Sequence, residues 1–365
     1  MATRLSSLSP AVLVLSLGAA HLSAVAAPVS YEMNLRTLSG LGAGGMGGVM
    51  GMMFGSKPGT SRSMDLRLTN PADLPPDYSA SHQVPETMGI GPLLPLKGER
   101  RSGGQGGGSD GEADGRVLIY WGCGPAVAKG QPEILDFRTM AGKVSPEVMA
   151  MARQGRSMGK GGPGAGVDGL PPRSLHWPAG DRDFKGLPDG ASAVGEHVVK
   201  ASFLTPDIRF TLGAAMDFLE PINLKAGNTN LRSAVSLSWD ASTRVRGYDL
   251  NAVAANGDKE VVLWLAARNK SPMLPGSQRE CTVPEGIFAK AEMAMVSAVA
   301  HGPSQGFAYP PQKPAEKKPL VWSAVVRVTG YDSLALGLEQ AAGDAAVESA
   351  APAGVGGLLK GIFGR

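Results

Sequence analysis

RGYDLNAVAANGDKEVVLWL, residues 246–265, reads as two short strands joined by a tight turn. Residues 246–254 and 259–265 are rich in apolar and β-branched side chains. Asn256-Gly257 between them is a pair that tolerates positive φ, so a hairpin is expected. Outward from it, the same signature recurs through the C-terminal half. Residues 194–201 and 207–212 read as strands, and Val235, Leu237 and Trp239 alternate with Ser236 and Ser238. Residues 293–299 and 320–328 read as two more, separated by the proline- and lysine-rich 310–319.

The N-terminal half is patchier. Tyr31, Met33 and Leu35 alternate with Glu32, Asn34 and Arg36, and Met64, Leu66 and Leu68 with Asp65, Arg67 and Thr69. VLIYW at 117–121 and residues 134–137 are further strand candidates, whereas 72–96 reads as Pro- and Gly-punctuated coil. The 98–115 stretch (GERRSGGQGGGSDGEADG) has the composition of a disordered insertion. One helix is signalled over 145–155, with Ser145 as cap, Pro146 in the first turn and Gly155 as stop. Residues 156–172 read as a flexible linker. The fold class expected is mainly β: two β-sandwich-like regions, 27–150 and 173–340, with Gly-rich disordered insertions. A flexible tail, 341–365, ends in a short apolar helix in which Leu358, Leu359, Ile362 and Phe363 have helical spacing.

Two copies of W-x4-R-V-x-G-Y-D run from Trp239 to Asp249 and from Trp322 to Asp332. Such an echo is expected of a repeated module with buried Trp and Tyr on equivalent strands. Residues 233–267, with LSW followed by GYDL and the hairpin, resemble the core Trp and Tyr strands of fibronectin type III and immunoglobulin-like domains, which implies a β-sandwich.

Residues 1–26 read as a cleavable secretory signal. Arg4 begins it, AVLVLSL at 11–17 is its apolar run, and Ala24-Val25-Ala26 gives a small-x-small cleavage pattern. That run is far short of the roughly 20 apolar residues of a transmembrane helix, and no other stretch approaches that length. A periplasmic or extracellular location follows. In that setting the widely separated Cys123 and Cys281 read as a disulfide. The 51 glycines, 28 prolines and 5% aromatics favour short strands and long turns. A net charge of +3 carries no electrostatic footprint for nucleic acid.

The chemical constellations are sparse. GPSQG at 302–306 has the letters of a nucleophile elbow around Ser304, but Pro310 and Pro311 forbid the helix that device needs, so a surface turn is expected. Residues 155–162 lack the Ser or Thr of a phosphate loop. Asp110, Glu112 and Asp114 start a calcium-loop pattern that Trp121 breaks at its last ligand position. His82, His176, His197 and His301 lack metal-ligand spacing and read as surface or structural residues. Trp177, beside Pro178, reads as loop packing. Met46, Met50, Met52 and Met53 are soft thioethers suited to Cu(I), and with Phe54 they equally form an adaptable apolar surface.

No catalytic set and no cofactor site emerge. Segments 47–55 (GGVMGMMFG) and 356–364 (GGLLKGIFG) share one apolar, glycine-rich pattern and read as surfaces for a protein partner or self-association. The function expected is therefore an exported, non-enzymatic binding, scaffolding or assembly role in the cell envelope. Copper handling through the Met-rich segment and a hydrolase using Ser304 are the alternatives.

Overall fold

The computed structural model describes residues 27–41, 59–98, 115–137, 139, 173–179, 186–257, 259–268, 273–313 and 318–337. The protein is mainly β, with no α-helix among the described residues. Its first eight strands are β1 (Val29–Leu38), β2 (Ser61–Thr69), β3 (Ala80–Gln83), β4 (Leu93–Pro95), β5 (Lys97–Gly98), β6 (Arg116–Trp121), β7 (Glu133–Asp136) and β8 (Ser174–Trp177). Next come β9 (Gly195–Ala201), β10 (Ile208–Leu212), β11 (Lys225–Ala226), β12 (Val235–Ser238), β13 (Gly247–Ala255) and β14 (Glu260–Leu265). The last four are β15 (Leu274–Pro275), β16 (Glu280–Val283), β17 (Ala294–Tyr309) and β18 (Trp322–Leu336).

They form an 11-stranded sheet in the order β5-β8-β2-β1-β18-β17-β13-β14-β6-β7, with β15 added beside β13. A 4-stranded sheet, β10-β9-β3-β4, and a 3-stranded sheet, β11-β12-β16, accompany it. The hairpin expected at 246–265 is present as β13 and β14, and Gly257 takes a φ of 65° at its turn. Two pairings in the large sheet are parallel, β1 with β18 and β6 with β14; the rest are antiparallel.

Period-two patterning makes the large sheet one-sided. Tyr31, Met33 and Leu35 on β1, Val326 and Val328 on β18, Val296 and Ala298 on β17, and Leu250 and Ala252 on β13 all point into the core. Alternate residues such as Glu32, Asn34, Asn251, Ser297 and Thr329 lie half-buried on the opposite face. The core is shared with the two smaller sheets, which contribute Val199, Ile208 and Phe210 from one and Val235, Leu237 and Val283 from the other.

The large sheet crosses the boundary expected at 156–172, because β1, β2, β6 and β7 pair in it with β13, β14, β17 and β18. Parallel neighbours are joined by long connections, and local sequence carries no trace of which distant strand they meet. The 72–96 stretch, expected as coil, holds β3 and β4; strands this short, bounded by prolines, leave little periodicity to read. The helix expected at 145–155, the linker at 156–172, residues 99–114 of the insertion and the tail at 341–365 lie outside the described residues.

The Trp–Tyr echo does not give equivalent settings. Trp239 follows β12 and packs on Tyr248 of β13, ring centroids 5.3 Å apart, both buried. Trp322 and Tyr331 instead share one continuous strand, β18. Their odd separation sends them to opposite faces, so Trp322 is buried and Tyr331 half-exposed.

Candidate functional site: a step in the large sheet

β17 is paired on one side with β13 only from Ala294 to His301, yet on its other side it runs with β18 as far as Tyr309. The register on β18 shifts between His301 and Ser304, a β-bulge. Sequence explains the break. Pro303 has no N–H to give a neighbouring strand, and such residues sit at edges and bulges. Gly302 is required by packing, since a Cβ there would come 2.7 Å from the Val328 carbonyl oxygen and 3.2 Å from Leu219 Cδ1. Beyond the bulge, residues 304–309 pair with β18 alone. The sheet therefore has a step: β17 and β18 run on where β13 stops, leaving 304–309 as an edge.

The protruding arm is anchored by aromatic side chains. Phe307 stacks on Phe210 of β10 at 4.9 Å, and Tyr309 on Trp322 at 6.0 Å. At its tip Tyr309 and Val321 are 41% and 40% exposed, so apolar surface is presented to solvent. An open groove of about 540 Å³ runs along the arm, bordered by Gly306, Phe307, Pro311 and Gln312. Residues 302–312 contain no charged side chain.

Other sheet edges among the described residues are blunted, as edges of soluble proteins usually are. β5 and β11 have two residues each. β4 ends in Pro95. β16 is covered by backbone bonds from Gly124 to Thr282 and from Glu285 to Pro125, and by the Cys123–Cys281 disulfide (Cα–Cα 5.0 Å), as the cysteine pair predicted. β7 presents Glu133 and Asp136, and β10 presents Arg209. The 304–309 edge has neither charge nor cover among the described residues.

At the foot of the step, on the solvent face, His301 Nε2–H donates to Asp249 Oδ2 at 2.6 Å. The bond to Asp249 raises the His301 pKa above its ordinary value, partly opposed by burial. Ser304 is exposed and lies opposite Arg327. No hydrogen bond joins it to His301 among the described residues, and GPSQG is part of a strand rather than a turn, so no nucleophile elbow forms. Across the same face run Arg36–Asp65 at 2.6 Å, Arg67–Glu32 at 3.1 Å and Arg327–Glu32 at 3.7 Å. These half-exposed pairs balance charge and contribute little stability, about 0–1 kcal/mol each.

A second polar cluster is wholly buried. Tyr31 Oη lies 2.5 Å from His82 Nδ1, His82 Nε2 lies 2.9 Å from His197 Nδ1, and His197 Nε2 lies 2.9 Å from the Ala193 carbonyl oxygen. The carbonyl only accepts, and burial keeps both imidazoles neutral; together these set the direction of every bond in the chain. His197 Nε2–H donates to Ala193, His82 Nε2–H to His197 Nδ1, and Tyr31 O–H to His82 Nδ1. Both imidazoles are neutral. Burial holds the His82 pKa well down, helped by His197, and also lowers that of His197; it raises that of Tyr31. The chain ties β3 and β9 of the small sheet to β1 of the large one. Sequence spacing carried no signal for it, because 115 residues separate the two histidines.

Trp177 ends β8 and is buried rather than set in a loop, and His176 precedes it half-buried. The buried Trp322 indole N–H has no hydrogen-bond partner among the described residues. Met46, Met50, Met52 and Met53, the segments 47–55 and 356–364, and Asp110, Glu112 and Asp114 lie outside the described residues. No group of metal-ligating His, Cys, Asp or Glu and no membrane-spanning helix occurs among the described residues. Comparison with known families, characterised proteins and solved structures gives no match to this chain.

Proposed function

We propose that this protein is an exported, non-enzymatic binding or assembly component of the cell envelope that takes up an extended polypeptide strand along residues 304–309 of β17. The observation that carries the reading is the step itself. A neutral, uncovered edge, flanked by an apolar groove and an exposed Tyr309, offers backbone hydrogen bonds and a side-chain contact together, the two requirements of strand addition. The Cys123–Cys281 bond supports placement in an oxidising compartment, in keeping with the signal-like residues 1–26. Trp239 packed on Tyr248 between two sheets supports reading 233–267 as a β-sandwich element.

Gly306→Lys tests this directly. A Cβ at Gly306 meets only the Ala324 carbonyl oxygen, at 4.0 Å, so the fold tolerates the side chain. The lysine adds charge to the edge and should release the protein from any complex it forms in extracts of the producing cell. Native sizing that finds wild type and variant in complexes of the same mass would refute strand addition.

A further inference from the structure

We infer that a second copy of this chain occupies the step, its residues 303–309 pairing antiparallel with 303–309 about a two-fold axis at Gly306. The inference rests on the strand-addition reading and names the strand that is added. Three features of the step single out the chain's own edge.

The first is length. The open edge is bounded below by His301, whose carbonyl accepts from the Arg246 N–H, and above by the turn after Tyr309. In an antiparallel pair of copies, the strand and the edge on the same side of it belong to both molecules at once. Each hairpin tip therefore advances toward the place where the other copy's β13 ends. Pairing centred on Gly306, the midpoint of 303–309, fits both tips into both steps. Shifting the axis toward Ser304 drives both tips into the other copy's Arg246, and shifting it toward Tyr309 shortens the ladder.

Self-complementarity is the second feature. About that axis Ser304 faces Ala308, Gly306 faces Gly306, and Gln305 faces Phe307. The small residues Ser304, Gly306 and Ala308 share one face, so no bulky side chains collide across the axis there. Third, residues 302–312 carry no charge, so the copies do not repel where they meet. Like charges placed directly opposite would destabilise the ladder. A closed two-fold contact is also the commonest way for identical chains to satisfy an edge. The pairing would join two 11-stranded sheets into one and cover the exposed Tyr309.

The test uses the purified full chain. A ladder this short predicts a dimer that dissociates on dilution, read by light scattering behind size exclusion. Gly306→Lys should abolish it and Gly306→Ala preserve it, both with the wild-type melting temperature. Gly306→Cys should form an intermolecular disulfide on mild oxidation, since directly opposed Cα atoms lie about 4.5–5.5 Å apart, within disulfide reach. Ser304→Cys alone should not, because it faces Ala308; with Ala308→Cys added it should. A monomer at every concentration overturns the proposal, as does a dimer that ignores Gly306→Lys but is lost on deleting 356–365. If the purified protein is monomeric while Gly306→Lys still releases the complex in extracts, the second copy is excluded and strand addition by another protein stands.

Discussion

Cutting the buried Tyr31–His82–His197 chain should expose how strongly the small sheet is held to the large one. All three side chains are essentially solvent-free. Tyr31→Phe removes one hydroxyl, keeps the ring, and orphans His82 Nδ1; an unsatisfied buried acceptor costs about 1–3 kcal/mol. His82→Leu orphans both the Tyr31 O–H and His197 Nδ1, for about 2–6 kcal/mol on the same scale. The double variant leaves only His197 Nδ1 without a partner. It should therefore cost less than the sum of the singles by the two groups no longer orphaned, about 2–6 kcal/mol on that scale. Acid should reach the same chain. Both histidines are neutral in the fold with lowered pKa values, whereas the unfolded chain binds protons below about pH 6.5. Stability is thus fully present above that value and falls as pH drops through it. Between pH 7.5 and 5.5 the loss reaches about 1.4 kcal/mol per histidine that stays unprotonated in the fold, or about 2.7 kcal/mol for the two. Protonating His197 also has a structural cost, because its Nδ1–H would point at the His82 Nε2–H unless that imidazole changes tautomer. The groups facing the pair are the Tyr31 hydroxyl, the Phe210 ring and the Ala193 carbonyl; Asp217 reaches the Ala193 N–H from the other side. Urea unfolding at the two pH values measures both effects. A Tyr31→Phe variant within about 0.5 kcal/mol of wild type, or an Asp249→Asn protein, freed of the opposing His301 pair, equally stable at both pH values, would refute the assignment.

Four further outcomes are expected. Replacing Cys123 and Cys281 together by Ala should lower stability by up to about 5 kcal/mol, the chain-entropy value for a 158-residue separation, and urea midpoints unchanged from wild type would show that the crosslink does not restrict the unfolded chain. Trp239→Ala empties the space against Tyr248 and should cost about 3–5 kcal/mol; a loss under 1 kcal/mol by calorimetry would contradict its burial. Gly302→Val places carbon where the Val328 carbonyl sits, so it should destabilise or unfold the arm, and a normal thermal melt would count against the close approach. Asp249→Asn should lower the His301 pKa in an NMR titration. Because that pKa is raised, the pair's stabilisation is complete below about pH 6.5 and fades as pH climbs through the folded value; an unshifted titration would mean the two side chains do not meet.

Strand positions were legible wherever one face of a strand is wet. Tyr31, Met33 and Leu35 on β1 and Leu66 and Leu68 on β2 announce themselves by alternation, and Asn256-Gly257 announces its turn. The cysteine pair was legible from compartment chemistry. Pairing partners were not. β1 lies beside β18, almost the whole length of the chain away, and the two run parallel; nothing in either strand encodes the other. His82 and His197 failed for the same reason. A histidine chain is assembled by β3 and β9 meeting, and an isolated His looks the same whether solvated or sealed.

The step shows a subtler failure. GPSQG reads as a surface turn once Pro310 and Pro311 rule out the helix of a nucleophile elbow, yet Gly302 and Pro303 act here inside a strand. Pro303 lacks an N–H, so it suits a strand only where no neighbour asks for one. Gly302 lacks a Cβ, so it suits a strand only where another backbone crowds it, as Val328 does. Read together, they specify a strand that loses its neighbour on one side while keeping it on the other. The alternation resumes past them, with Phe307 and Tyr309 on one face and Gly306 and Ala308 on the other, which a turn would not require. A Gly-Pro pair followed by renewed period-two patterning therefore marks an edge. In a chain whose other described edges are short, proline-ended, charged or covered, this bare and neutral edge is the observation on which the proposed strand addition rests.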